Sequence, residues 1–576
     1  MSRVTTGWLL GLVALLNGAV LVLTAGHQIY DTNFYALFEA TALLAGDHPY
    51  RDFFEWGVPL QAAISACGQL IAGNRLIGEF AIQWLGIVVG AVVSFHLGLR
   101  LSGSIGASLI TLAFSIPILA ATATYHYPKL LLYPMAVWLI WRYMDAPSLR
   151  SALFVGVITA VAFLFRHDHG AYIAAGSALG FCLTRSVAAP SRSLRYGVLE
   201  GGVAAATALA VLAPWMLLVH TSEGLPEYWQ WRYERYALVR HHRNPYPSLL
   251  TMNPIRTLNA AGLDLPQLSD LQPRLPPSAE GVLWLQQVAL LVPLCALGAA
   301  GVNGLRSRRL RERAPIGTDR LVVAATLLAV AQWRLFMDPG YVTVVAPLTG
   351  ALGTYVLSRR VSAGTSWPQQ VWRVTRFGLV AGMLCVTAVA TFLFTRSTHI
   401  FTPARLAATV PDTFVELIVS PPIDGFAPRE EVFGLDQSTW NKQEVHAVRV
   451  LLRYLHDCTD AGDRILVTGQ TPHQVGYYVG RPIAGGHLFW HDGWRSDPSG
   501  EQQSLALLQR QSVPFAYSTH DPVVNDFRRY PRIREYLLKH SVELEGSRGL
   551  VLVDTRRQPA GTFGDLGFPC FRRGLQ

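Results

Sequence analysis

Long runs of apolar residues, separated by short polar segments, dominate residues 1–395 of the chain. Two clear examples are GWLLGLVALLNGAVLVLTA (7–25) and FGLVAGMLCVTAVATFLF (377–394). A helix of about 20 apolar residues crosses the hydrocarbon core of a bilayer, and it satisfies its own backbone hydrogen bonds there. The pattern therefore predicts a mostly α-helical, polytopic membrane protein.

This length criterion predicts about eleven transmembrane spans, which together form a helical bundle. They lie at 7–25, 78–100, 104–122, 127–144, 151–165, 170–185, 197–219, 282–303, 321–337, 340–358 and 377–395. The apolar stretch 60–73 is shorter than a span, so it predicts a re-entrant or interfacial helix. We expect the first span to be retained, because it is long for the core of a signal peptide.

After residue 395 the pattern changes to short strands and amphipathic helices. RILVTG (464–469), VPFAYS (513–518) and RGLVLVD (548–554) predict buried strands, and VHAVRVLLRYLHD (445–457) and RRYPRIREYLLKH (528–540) predict helices. The chain is therefore expected to contain a membrane domain, 1–395, with long loops at 26–77 and 220–281, and an α/β domain at 396–576.

Charge gives an expected orientation. Only 15% of the residues are charged, and the net charge of +10 comes largely from arginine-dense connections at 185–195, 306–313 and 359–376. The positive-inside rule places these connections in the cytoplasm and the two long loops and the α/β domain outside. Basic residues between spans do not predict a nucleic-acid partner. Few lysines relative to arginine and alanine favour a GC-rich bacterium, and hence a bacterial plasma (inner) membrane.

Two of the six cysteines, Cys458 and Cys570, belong to the α/β domain. A disulfide persists in an oxidising compartment, so an exported domain is expected to join them. The other four are expected to be small buried hydrophobic residues of the membrane part: Cys67, Cys182, Cys295 and Cys385.

The first long loop, HQIYDTNFYALFEATALLAGDHPYRDFFEWGVPL (27–60), holds the densest set of candidate chemistry. Asp31 and Tyr35 are separated by one helical turn and share a face. Asp52 and Glu55 follow a glycine-containing break. These carboxylates are either solvated loop residues or functional groups, and the spacing alone favours neither.

This loop resembles the first outer loop of the GT-C fold glycosyltransferases that use polyprenol-phosphate sugars, a superfamily that includes protein mannosyltransferases and aminoarabinose transferases of lipid A. The resemblance rests on Asp31-x-x-x-Tyr35, Gly46, Pro49-Tyr50-Arg51-Asp52-Phe53 and Gly57-x-Pro59-Leu60. It implies an inverting enzyme that moves a sugar from a polyprenyl-phosphate donor to a hydroxyl of a glycan, lipid or protein acceptor.

The resemblance also implies roles for single residues. Asp31 matches the acidic residue that serves the family as catalytic base or as a ligand of a divalent metal, so Mg²⁺ or Mn²⁺ is a candidate cofactor. Many relatives have an acidic pair at this point, whereas this chain has Asp31-Thr32. Relatives often carry an Arg-x-Asp and a nearby His near the end of a late span, and Arg334 and Asp338 match this pattern in part.

Candidate residues therefore fall into three groups. Catalytic candidates are Asp31, Asp52 and Glu55; donor-phosphate candidates are Arg166, His167, Lys129, Arg240 and Arg334; and acceptor or sugar candidates are Tyr35, Asp168, His169 and Asp338. Ionisable groups at membrane depth are costly, which favours function for the run FLFRHDHGAY (163–172). A capped helix end or a metal site are its alternatives. The segment 229–243, which contains Arg240, is equally consistent with a membrane-surface helix.

Two other function classes stay open. A many-span bundle with buried charge also describes a transporter or flippase, although such carriers usually show paired halves, and no repeat is visible here. A non-catalytic cell-envelope assembly protein is the third class, with the aromatic patch 485–494 as its binding surface.

Overall fold

The computed structural model describes residues 3–25, 29, 34–54, 57–109, 112, 124–184, 194–232, 298, 302, 322–327, 370, 374, 403–425, 442–469, 472–487, 490, 496–518, 522–547 and 549–573. These residues are mostly helical, with a small sheet region near the C-terminus. The chain forms two compact units. Unit 1 contains Met1–Gln28, Gln83–Pro214 and Arg243–Ala407, and unit 2 contains Ile29–Ile82, Trp215–His242 and Ala408–Gln576.

Among the described residues, eight α-helices precede residue 223. They are α1 (Arg3–Leu23), α2 (Phe34–Leu44), α3 (Pro59–Ala72), α4 (Ile77–Ser102), α5 (Tyr127–Asp145), α6 (Leu149–Phe165), α7 (His167–Leu183) and α8 (Leu194–Ser222). A short 3-10 helix, Thr124–His126, leads directly into α5. The predicted short helix at 60–73 corresponds to α3, which ends at Gly73 in the left-handed conformation.

Three of the described helices are long and apolar enough to cross a membrane: Val4–Leu23, Ile77–Ser102 and Tyr196–Ser222. They coincide with the predicted spans 7–25, 78–100 and 197–219. The predicted spans 127–144, 151–165 and 170–185 form the helices α5, α6 and α7, which do not meet the same criterion of length and hydropathy. Most of 104–122 and of the four predicted spans after residue 281 lies outside the described residues, so eleven spans stay a prediction.

Glycine residues let the helices of unit 1 approach one another closely. A Cβ atom added at Gly90 of α4 would lie 2.2 Å from the carbonyl oxygen of Leu130 in α5. A Cβ atom at Gly156 of α6 would lie 2.3 Å from the carbonyl oxygen of Ala204 in α8. Small residues at such crossings are typical of membrane helix packing.

Unit 2 contains the predicted α/β fold. The described α-helices after residue 402, which belong to unit 2 except for the first residues of α9, are α9 (Pro403–Ile418), α10 (Pro422–Gly425), α11 (Lys442–Asp457), α12 (Pro472–Val479), α13 (Pro498–Arg510), α14 (Val523–Asp526) and α15 (Pro531–His540). The strands are β1 (Ile465–Thr468), β2 (Phe515–Ser518), β3 (Ser541–Glu543), β4 (Val551–Asp554), β5 (Gly561–Phe563) and β6 (Phe568–Cys570). One sheet has the order β1-β2-β4-β3, with β1 and β2 parallel and the other pairs antiparallel, and β5 pairs with β6.

The sheet of unit 2 is held by an apolar core and a covalent link. Leu466 of β1 and Leu552 of β4 pack in one cluster with Trp490, Phe527 and Tyr530. The predicted disulfide between Cys458 and Cys570 is present, with Cα atoms 4.5 Å apart, and it joins the end of α11 to β6. The expected burial of two other cysteines is wrong, because Cys67 and Cys182 are exposed on α3 and α7.

Candidate functional site

A cluster of ionisable side chains lies inside unit 1, where the chain enters α5. The 3-10 turn before α5 places His126 three residues before Lys129, so both side chains lie on one side of the helix start. Both are almost fully buried, with 3% and 5% of their surface exposed. The Nζ atom of Lys129 lies 3.0 Å from Nδ1 of His126.

The electrostatic surroundings determine which member of this pair carries the positive charge. Burial, and after it the positive charge of Lys129, lowers the pKa of His126 well below its ordinary range, and the charges of Arg166 and His169 act in the same direction. His126, which lies between two predicted spans, is therefore neutral and accepts a hydrogen bond from the Lys129 ammonium group. This contact fixes the position of the ammonium group of Lys129 at the start of α5.

The junction of α6 and α7 supplies the second part of the cluster. Arg166 adopts an extended conformation, with φ −173° and ψ 126°, which interrupts the two helices at this residue. Its Nε atom lies 3.0 Å from Oδ1 of Asp168, and the same oxygen accepts a hydrogen bond of 2.9 Å from the backbone N–H of His169. Gly170 permits the tight reversal, since a Cβ atom there would lie 2.4 Å from Cβ of Phe163.

Helices α5 and α7 are joined through a tyrosine and a histidine. The hydroxyl group of Tyr133 lies 2.6 Å from Nδ1 of His169, and both side chains are buried. Because Tyr133 follows Lys129 by four residues, the two lie on the same face of α5. The structure thus brings together four predicted site residues, which are Lys129, Arg166, Asp168 and His169.

His126 and Tyr133 were missed as site residues by the sequence analysis. A signal for them was available, because His126, Lys129 and Tyr133 follow one another at i, i+3 and i+7. The fifth predicted site residue of this region, His167, contacts the helical turn that directly precedes it. Its Nδ1 lies 3.0 Å from the carbonyl oxygen of Phe163, and its ring packs on that of Phe163.

The run of the first loop from Pro49 to Phe53 forms a tight turn in unit 2. Tyr50 has a positive φ of 69°, its N–H bonds the carbonyl oxygen of Phe53 at 2.9 Å, and its hydroxyl accepts a 2.9 Å hydrogen bond from the Trp215 ring. A left-handed tyrosine is strained, so surrounding contacts must hold it. The side chain of Asp52 closes the turn by accepting the N–H of His48 at 3.0 Å.

Two more predicted residues of the first loop have defined surroundings. Tyr35 is half-buried, and its ring lies edge-on to His473 with centroids 4.6 Å apart. Asp52 forms ion pairs of 2.7 Å with Arg51 and with Arg510. The remaining predicted site residues lie outside the described residues: Asp31, Glu55, Arg240, Arg334 and Asp338.

In the described part of the chain, no group of three or more His, Cys, Asp or Glu side chains has the arrangement of a metal site. The run 163–172, for which a metal site was one alternative, belongs to these residues, whereas Asp31, the metal ligand that the resemblance implies, does not. No protein-family model matches the chain, and no curated protein matches it.

Proposed function

We propose that this chain is an inverting glycosyltransferase that moves a sugar from a polyprenyl-phosphate donor to an acceptor hydroxyl at the outer face of a bacterial plasma membrane. The observation that carries the proposal is a cluster among apolar helices in which Lys129 and His126 are buried and Arg166 is partly buried. Three helices long enough for a bilayer are consistent with a lipid-linked donor. The first-loop resemblance to GT-C enzymes supplies the reaction class.

The cluster suits the leaving group of this reaction. When a sugar leaves a polyprenyl phosphate, negative charge grows on the phosphate oxygens. The ammonium group of Lys129 and the guanidinium group of Arg166 stabilise such an anion, and they do so most strongly where water is excluded. Neutral His126 fixes the Lys129 side chain without competing for the charge.

The acceptor needs a base, and we assign that role to Asp31. A carboxylate deprotonates the attacking hydroxyl in the transition state, and direct attack on the anomeric carbon inverts its configuration. Glu55 is the alternative base in the same loop. Tyr35, Asp168 and His169 remain proposed contacts for acceptor or sugar, and Arg240, Arg334 and Asp338 keep their proposed roles.

A divalent cation would add a charge that polarises the phosphate, and it would require oxygen ligands such as the carboxylates of Asp31 or Glu55. The steps assigned above use side chains alone. The disulfide between Cys458 and Cys570 supports an exported C-terminal region, because such bonds persist in oxidising compartments.

A donor panel tests the proposal. Purified protein in lipid vesicles is incubated with several polyprenyl-phosphate sugars and with glycan, lipid and peptide acceptors. Each reaction is run with and without a chelator, and the masses of all products are measured by mass spectrometry. Transfer predicts free polyprenyl phosphate and an acceptor heavier by one sugar residue. Movement of intact donor across the vesicle would indicate a flippase, and binding without either event would indicate an assembly protein.

A further inference from the structure

The first loop of unit 2 is attached to the start of strand β1 by an ion pair. The guanidinium group of Arg464 donates two hydrogen bonds to Asp47, with N–O distances of 2.6 and 2.8 Å. The side chains are only 15% and 11% exposed. Arg464 directly precedes β1, so this anchor belongs to a strand of the central sheet. Bidentate pairs that are shielded from water are the strong ones among ion pairs.

A second anchor lies five residues later in the loop. Asp52 binds Arg510, the last residue of α13, and the backbone N–H of Phe54 bonds the carbonyl oxygen of Gly486 at 3.1 Å. Partial burial alone would raise the pKa of Asp52. The net effect is a lowered pKa, because hydrogen bonds from Arg51 and from the N–H of His48, together with the charges of Arg51 and Arg510, outweigh the burial. A carboxylate held in this way is a weak base and a good anchor.

The start of α2 forms the third anchor. The ring of Phe34 is fully buried, and its centroid lies 5.5 Å from that of Tyr477 and 5.6 Å from that of Tyr478 in α12. The ring of Tyr35 adds its edge-on contact with His473. All three anchors therefore join one loop to strands and helices of the same sheet region.

We infer that the C-terminal sheet region of unit 2 is a positioning domain, which holds residues 34–54 of the first loop in one conformation. Asp47 and Asp52 are its positioning residues, and Asp52 is not the catalytic base. The consequence for catalysis rests on the proposed function, because Asp31 precedes the anchored Phe34 by only three residues. In the proposed mechanism, fixing Phe34 lowers the cost of bringing the base to the reactive geometry.

Limited trypsin digestion tests the anchor independently of any reaction. Arg51 is a trypsin site whose side chain is 59% exposed, yet cleavage requires the loop to open. Arg464→Glu should raise the rate of cleavage after Arg51 about tenfold, the factor that corresponds to 1.4 kcal/mol of loop opening. Asp47→Arg combined with Arg464→Glu should bring the rate of cleavage after Arg51 back toward wild type, with the cut at the new trypsin site at position 47 scored as a separate peptide, and Arg464→Lys should lie between.

The matched control is Arg534→Glu, which makes the same charge change at an exposed position of α15 that belongs to none of the three anchors. It should cleave like wild type. In the transfer assay, Arg464→Glu should lower kcat about tenfold with little change in the donor KM, because the loop is misplaced while the phosphate cluster is intact.

The outcomes separate the two proposals. Wild-type cleavage in Arg464→Glu, or equal cleavage in Arg534→Glu and Arg464→Glu, overturns the positioning domain. Faster cleavage with rescue, in a protein that transfers no sugar from any donor, keeps the positioning domain and refutes the proposed function. Faster cleavage with an unchanged kcat shows that the anchored conformation does not serve the reaction, and this overturns the catalytic part of the inference.

Discussion

The Nζ atom of Lys129 and Nδ1 of His126 lie 3.0 Å apart, and both side chains are buried at the start of α5. A buried ammonium group is costly unless it has partners, and the imidazole ring of His126 is one of them. The contact therefore holds the Lys129 cation in a fixed position. The proposed mechanism uses a cation held in this way to stabilise the departing phosphate.

Lys129→Met keeps most of the side-chain volume and removes the charge. We expect kcat/KM for the donor to fall about 10-fold to 100-fold, because Lys129 is proposed to stabilise charge that grows in the transition state; this loss corresponds to about 1.4–2.8 kcal/mol. Steady-state kinetics at varied donor concentration measures this. Lys539→Met, at an exposed position of α15, is the matched control and should leave kcat/KM unchanged. Equal kinetics for the two variants would remove Lys129 from the phosphate site.

Because α4 and α5 cross closely at Gly90, we expect a larger side chain at this position to destabilise the protein. Gly90→Ala places a Cβ atom 2.2 Å from the Leu130 carbonyl oxygen, so the helices must separate. Overpacking of this kind costs about 1–3 kcal/mol, which should appear as a lower melting temperature. Gly201→Ala in α8 is the control, because no atom of the described residues lies within 4 Å of its added Cβ. A melting temperature that falls equally in both variants would contradict the crossing.

The disulfide predicts sensitivity to reduction. Cys458 and Cys570 are 112 residues apart, and closing a loop of that size stabilises a domain by about 2–5 kcal/mol. A reducing agent should lower the melting temperature of the wild-type protein and leave the double variant Cys458→Ser/Cys570→Ser unaffected. Labelling of both thiols in unfolded, unreduced protein would show that the bond does not form.

The orientation inferred from arginine-dense loops is tested by a fusion. A reporter enzyme that is active only outside the cytoplasm, joined after Gln576, should be active in whole cells. The same reporter joined before Met1 should be silent, because the N-terminus is expected inside. Activity of a cytoplasm-specific reporter at the C-terminal end would reverse the topology.

Regular patterns made much of the fold predictable. The long apolar runs gave the three helices that are able to cross a membrane, and continuous apolar runs gave β1, β2 and β4. Strands β3, β5 and β6 are three residues each, too short for any period to be visible. The lengths of α6 and α7 were also unpredictable in detail, because Arg166 ends one helix and begins the next within a single apolar pattern.

The candidate site was predictable only where sequence neighbours are neighbours in space. Arg166, Asp168 and His169 lie within four residues, and their mutual contacts follow from the helix junction. The bond between Tyr133 and His169 spans 36 residues and depends on how α5 packs against α7. Likewise, charge alone made Asp52 a catalytic candidate, whereas its partner Arg510 is 458 residues away.

The rate of sugar transfer by Asp31→Asn tests the central claim most directly. The change keeps the side-chain volume and removes the base, so kcat should fall about 100-fold to 10,000-fold. Donor binding and the melting temperature of Asp31→Asn should match wild type. The comparison variant Asp52→Asn should lose activity only in proportion to its faster tryptic cleavage after Arg51. If folded Asp31→Asn protein transfers the sugar at the wild-type rate, Asp31 is not the base and the proposed mechanism is wrong.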